Sequence, residues 1–225
     1  MLVADVASGA APELDRLRAA CEEAVRRMHV ADVSAVMVLA GAANTRGYAP
    51  GSGGDFARYG VPGVSAVLGG APGVGTGRLP LGLLVGAWLL ARHDHATRCY
   101  GQAIDTTASP AACLRLGRAL DAGDGPRVGL LVMGDGSACR SDRAPGAYQP
   151  DAEGFDQAVA AALDTADTQV LRDLDPEVSE RLMVAGRVPW QVLAGAAGDG
   201  RWRSELLYHD APYGVGYFVA SWRAA

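Results

Sequence analysis

Two largely apolar runs, VSAVMVLAG at residues 33–41 and VGLLVM at residues 128–133, each stop abruptly at a turn of small and polar residues. A strand that is apolar on both faces has to be covered on both faces, as central strands of a largely parallel sheet are. Segments of helical period separate such runs. Pro12 opens a helix to residue 29, with Leu14, Leu17, Cys21 and Val25 on one face. Further helices are predicted over 80–92, 110–120, 154–163, 176–185 and 189–197, and strands over 2–4 and 98–104. The closing stretch SELLYHDAPYGVGYFVASW, residues 204–222, reads as two strands around an Asp-Ala-Pro-Tyr-Gly turn. Residues 42–63 read as a long glycine-rich loop, rare in a compact domain unless it serves function. Alternation of this kind predicts an α/β fold: a single-domain three-layer sandwich over residues 1–225, its sheet mostly parallel with helices on both faces.

Composition narrows the functions available to such a fold. A chain of 225 residues, 49% of them hydrophobic, can bury a substantial core in one domain. Its formal charge of −5 argues against a phosphate-collecting surface, so no nucleic acid is expected as partner. The stretch LPLGLLVGAWLL, residues 79–90, falls short of the roughly 20 residues that cross a bilayer, and MLVADVASG carries Asp5 where a signal peptide would be apolar. No membrane association and a cytoplasmic location are therefore expected; homo-oligomer formation stays open. Cys21, Cys99, Cys113 and Cys139 lack metal-ribbon spacing and are expected as free thiols. His93 and His95 in RHDH could hold a metal with Cys99, or simply place positive charge at a helix C-terminus.

Open α/β sheets bind ligands beyond the carboxyl ends of their strands. That rule selects the loops 42–47, 105–107 and 135–143, and predicts that Asn44, Arg46, Asp135, Ser137, Arg140 and Arg143 converge on one small-molecule cleft. Tyr208 and Tyr213 are expected to wall it, while Tyr217, Phe218 and Trp222 are expected in core packing. Arginine forks suit carboxylate or phenolate groups, although Arg140 and Arg143 could equally brace a solvated loop. Ser137 also suggests a serine hydrolase with His209. A nucleophile elbow, however, needs glycines two residues before and after the serine, where this chain has Asp135 and Cys139. The run GAPGVGTGRLPLG, with Gly73, Gly75 and Gly77, lacks dinucleotide-binding spacing.

The stretches LLVMGDGSACRSDRAPGAYQPDAEGFDQAV, VAGRVPWQVLAGAA and ELLYHDAPYGVGYFVASW together resemble an actinobacterial branch of the class III extradiol ring-cleavage dioxygenases, the LigB-type catalytic subunits related to the Memo proteins. The resemblance implies a non-haem Fe(II) site of two histidines and one carboxylate at the carboxyl edge of the sheet, opening catechol rings with dioxygen. Three positions depart from that pattern. The first iron-ligating histidine would fall in a motif upstream of MLVADVASG, Asn44 stands at the second, and Ala138 stands where the acid/base histidine closes the turn. A start upstream of Met1 would restore one position and leave Asn44 and Ala138 as they are. The expected function is thus small-molecule binding on a dioxygenase fold without iron, as a pseudoenzyme or with acid/base chemistry carried by Asp135, Ser137 and His209. No cofactor is expected on this reading. The alternative is an Fe(II) ring-cleavage dioxygenase with a rearranged ligand set drawn from His209, Asp210 and Asp135.

Overall fold

The computed structural model describes residues 2–3, 12–31, 33–69, 78–93, 98–120 and 127–225. The chain divides into two compact units, residues 1–104 with 124–133, and residues 105–123 with 134–225.

The first unit is built on helix α1 (Asp15–Val30), strands β1 (Ala35–Ala42), β2 (Arg46–Tyr48), β3 (Gly53–Asp55) and β4 (Ser65–Val67), helix α2 (Leu81–Leu90), and strands β5 (Arg98–Asp105) and β6 (Val128–Met133). β1 and β6, the two apolar runs, lie side by side in parallel register, Ala35 opposite Val128 and Ala40 opposite Met133. They form one edge of a four-stranded sheet ordered β2-β5-β1-β6. Helix α2 is apolar on every side, which fits its burial of Leu83, Leu84, Ala87, Leu89 and Leu90. It rests on β1 through two glycines one turn apart. A Cβ on Gly82 would come 2.7 Å from that of Ala40, and one on Gly86 would come 2.5 Å from Val38.

Residues 42–63 are not one loop. They hold β2, which pairs antiparallel with β5, and β3, which pairs antiparallel with β4. The glycines hid these short strands because they interrupt the side-chain alternation that marks a strand. Ala4, Gly73, Gly75, Gly77 and His95 lie outside the described residues, and no strand forms at Leu2 and Val3.

The second unit contains α3 (Pro110–Leu120), α4 (Ala152–Thr165), α5 (Thr168–Arg172), α6 (Pro176–Arg181), α7 (Arg187–Ala197), and the antiparallel pair β7 (Trp202–Asp210) and β8 (Tyr217–Ala224). Side-chain caps set the two short helices: Asp167 accepts the amides of Gln169 and Val170, and Asp175 accepts that of Val178 at 2.9 Å. α3 and α7 touch backbone to backbone, because a Cβ on Gly117 would collide with the Val192 carbonyl and one on Gly195 would lie 2.5 Å from that of Leu114.

The α/β class holds, but the pairings are of mixed orientation. β1/β6 is parallel, whereas β2/β5, β3/β4 and β7/β8 are antiparallel. β7 and β8 make a separate two-stranded sheet and do not extend the four-stranded one. Among the described residues, no helix is long and apolar enough to cross a membrane.

Candidate functional site

The turn that follows β6 is laced to the segment entering β8. Gly136 donates its amide to the Gly216 carbonyl at 2.7 Å, Gly216 donates to the Ser137 carbonyl at 2.8 Å, and Arg140 donates to the Gly214 carbonyl at 3.1 Å. Chain number rises along one side as it falls along the other, so the two segments run antiparallel. Asp135 consequently falls opposite Tyr217.

A buried carboxylate holds this lacing from below. Asp156 is fully buried on α4, on the stripe shared with Ala152, Val159, Ala160 and Leu163. Its Oδ1 accepts the Ser137 amide at 2.9 Å and its Oδ2 accepts Arg140 at 3.1 Å. Burial pushes the Asp156 carboxyl up, and the Ser137 amide and Arg140 oppose that push. Gly136 and Gly216 flank it with no room for a side chain. A Cβ on Gly136 would lie 2.6 Å from Asp156 Oδ1 and from the Phe218 ring, and one on Gly216 would collide with Oδ2.

Several expected site residues belong to this scaffold. Ser137 is buried, donates its hydroxyl to the Leu182 carbonyl at 3.1 Å and accepts the Cys139 amide at 3.1 Å. Its hydrogen is thus directed at a backbone oxygen. Arg140 pairs with Asp156 at 3.1 Å and with Glu153 at 3.3 Å, the bracing role that stood as the alternative to a ligand fork. Arg143 stands exposed farther along the loop, its amide donating to Ser141 Oγ. Asn44 and Arg46 are exposed in the first unit, Arg46 with its guanidinium 5.2 Å from the Tyr48 ring centre.

Asp135 differs from these. Solvent reaches its side chain, yet protein surrounds it densely enough that burial pushes its carboxyl up to about 6. Among the described residues it forms no ion pair. Burial, and then Asp135, Tyr208 and Tyr213, push the Tyr217 phenol up to about 12, which keeps it neutral at any physiological pH. Tyr208 is buried, Tyr217 half-buried, and Tyr213 exposed in a left-handed backbone conformation at φ 59°. Tyr217 therefore belongs with the group that faces Asp135, and its expected role in plain core packing is corrected. Its placement depends on the 136–216 backbone bond, which no local pattern announces. Asp156 was legible in principle, as an acidic residue at an inward position of an otherwise apolar helical stripe.

The hairpin separates the remaining donors. Opposed residues in an antiparallel pair share a face, and successive residues alternate. His209 opposes Phe218 and stacks on it with ring centres 5.0 Å apart, while Phe218 meets Trp190 edge-on at 5.9 Å. Asp210 opposes Tyr217 on the other face. His209, Asp210 and Asp135 therefore do not fit one facial ligand set for Fe(II), and among the described residues no three His, Cys, Asp or Glu side chains gather as metal ligands.

A buried cation lies elsewhere in the unit. Arg187, at the start of α7, donates to the carbonyls of Thr106 at 2.6 Å and Ala108 at 3.0 Å, and to Gln191 Oε1 at 3.0 Å. An open concavity of about 700 Å³ lies elsewhere, lined by Thr165, Ala166 and residues 200–203 with Ala225, away from the Asp135 turn.

No family model matches the chain, and no curated protein matches it in sequence. Among solved structures, it is similar to an uncharacterized protein of Escherichia coli K12. The likeness covers 89% of this chain and 91% of that one, at 15% identity and a TM-score of 0.56. At that identity the likeness establishes a shared α/β fold and nothing about activity.

Proposed function

We propose that this chain, of extradiol dioxygenase-like α/β architecture, binds a small polar or aromatic molecule at the Asp135–Tyr217 site and does not use the iron chemistry of that superfamily. The observation that carries the reading is Asp135 itself, a solvent-reachable carboxylate opposite a neutral phenol with its carboxyl pushed up to about 6. Displaced acids of this kind concentrate at functional sites, and this one is poised to exchange a proton near neutral pH. Ala138, at the acid/base position of the resemblance, offers only backbone: its amide donates to Leu182 and its carbonyl accepts Gly146. Asn44 is a poor iron ligand, and His209 is turned to Phe218.

The test is anaerobic Fe(II) loading of the full chain, followed by oxygen and a panel of catechols, with the yellow ring-opened product as readout. In parallel, calorimetry with the same catechols and with simple phenols is run on chelator-treated protein. Binding without iron, and no yellow product, is the expected result. Stoichiometric iron binding with turnover that disappears in His209→Ala would overturn the proposal in favour of a rearranged-ligand oxygenase.

A further inference from the structure

The end of α6 is the wall against which the turn after β6 is held. The Arg181 carbonyl accepts from the Cys139 thiol at 3.8 Å, and the Leu182 carbonyl accepts the Ala138 amide at 3.0 Å and the Ser137 hydroxyl at 3.1 Å. Met183 follows, in a left-handed backbone conformation at φ 54°. The loop after Cys139 folds back onto the same place. Gly146 donates its amide to the Ala138 carbonyl at 2.9 Å, and Gln149 donates to the Cys139 carbonyl at 3.0 Å. Two sulfurs meet at that glycine. A Cβ on Gly146 would lie 2.5 Å from Cys139 Sγ and 2.6 Å from Met183 Sδ, so the missing side chain is what lets thiol and thioether share the spot. Cys139 is buried, whereas Met183 is 51% exposed. The other described methionines, Met28, Met37 and Met133, are half-buried.

We propose that Met183 is an oxidation site for hydroperoxides and that its conversion to the sulfoxide uncovers the Cys139 thiol. A lone pair on Sδ attacks the terminal oxygen of the hydroperoxide; the S–O bond forms, the O–O bond breaks, and sulfur gives up two electrons. The departing hydroxide or alkoxide takes the proton of the transferred oxygen and leaves as water or an alcohol. An apolar side chain has then become a polar one with a strong acceptor oxygen. The seat at Gly146 holds no donor for that oxygen. The Gly146 amide is committed to Ala138 and the Cys139 thiol to Arg181, while the Ala138 carbonyl, 3.0 Å from the same Cβ position, is itself an acceptor. The sulfoxide therefore turns to water, where half of Met183 already lies, and the cover over Cys139 goes with it.

The test treats the full chain with dilute hydrogen peroxide, removes the oxidant with catalase, restores any oxidised thiol with dithiothreitol and desalts. Iodoacetamide labelling of each cysteine is then followed by peptide mass mapping. Met183 is expected to gain oxygen before Met28, Met37 and Met133, and Cys139 to label about tenfold faster afterwards, with Cys99 and Cys113 unchanged. Met183→Leu keeps the bulk without the thioether and should leave Cys139 protected before and after peroxide. Met183→Gly should label at the fast rate with no peroxide at all, and it keeps the fold because glycine adopts φ 54° freely. Oxidation of a half-buried methionine ahead of Met183 overturns the oxidation site. A Cys139 rate that ignores Met183 oxidation, or rises equally in Met183→Leu, overturns the covering role. A rise shared by Cys99 and Cys113 marks general unfolding and overturns it as well.

Discussion

Asp156 Oδ1 accepts the backbone amide of Ser137 at 2.9 Å, a bond from the interior of α4 to the turn 19 residues earlier in the chain. Through it a fully buried carboxylate fixes the turn that carries Asp135, while its other oxygen holds Arg140.

Removing that carboxylate should cost more than one hydrogen bond. Asp156→Ala leaves the Ser137 amide and part of the Arg140 guanidinium unsatisfied in the interior, and breaking a buried pair in this way costs about 3–5 kcal/mol. Asp156→Asn keeps one oxygen for Ser137 and should lose about half as much. Urea denaturation of both variants against the parent checks the order; equal losses would show that the Ser137 bond contributes little.

Two glycine substitutions should act with opposite sign. Gly216→Ala drives a methyl group into Asp156 Oδ2 and should destabilise by about 3 kcal/mol. Gly154→Ala, in the first turn of α4, meets nothing within 4 Å and should stabilise by up to about 1 kcal/mol through helix propensity. Thermal melts of the pair provide the comparison, and a stabilised Gly216→Ala would contradict the described packing.

Asp135→Asn should change the pH dependence of stability. Because the folded carboxyl is raised from 3.8 to about 6, the native chain binds more protons than the unfolded chain between those two values. Wild-type stability accordingly falls as pH rises through that window, and above about 6 the ionised group is a net cost. The variant lacks that cost. Its melting temperature should exceed the parent's at pH 7.5 and approach it at pH 4, and a gap that widens toward low pH would refute the shift. A stabilising change at a candidate binding residue is the trade expected of a site kept for function.

Arg187 and Gln191 should couple. Arg187→Leu removes the guanidinium that the part-buried carbonyls of Thr106 and Ala108 accept from; water can reach these oxygens in part, so the change should cost about 2 kcal/mol. Gln191→Leu orphans the carbonyls of Arg172 and Leu174. Because the two side chains share a 3.0 Å bond, the double variant should be less damaging than the sum of the singles by about 1 kcal/mol. A double-mutant cycle in urea measures the difference, and strict additivity would show that the shared bond carries no energy.

What the sequence determined by itself is what local pattern can carry. The apolar runs that became β1 and β6 were legible as strands, but only β1 is buried as expected; β6 closes the edge of the sheet and stays half-buried, because among the described residues no strand pairs on its outer side. α3 has the predicted bounds, residues 110–120, since Pro110 opens it and its apolar face keeps helical period. The hairpin of β7 and β8 followed from alternation around Asp-Ala-Pro-Tyr-Gly. Only the tertiary structure decided which polar groups are spent and which are presented. In the sequence, Asp135, Ser137 and Arg140 are equivalent members of one turn. Asp156, Leu182 and Gly214, 16 to 74 residues away, take up Arg140 and Ser137 and leave Asp135 opposite Tyr217. Hydrogen bonds and burial act through space over a few ångströms, and sequence periodicity carries no record of which distant backbone will arrive there.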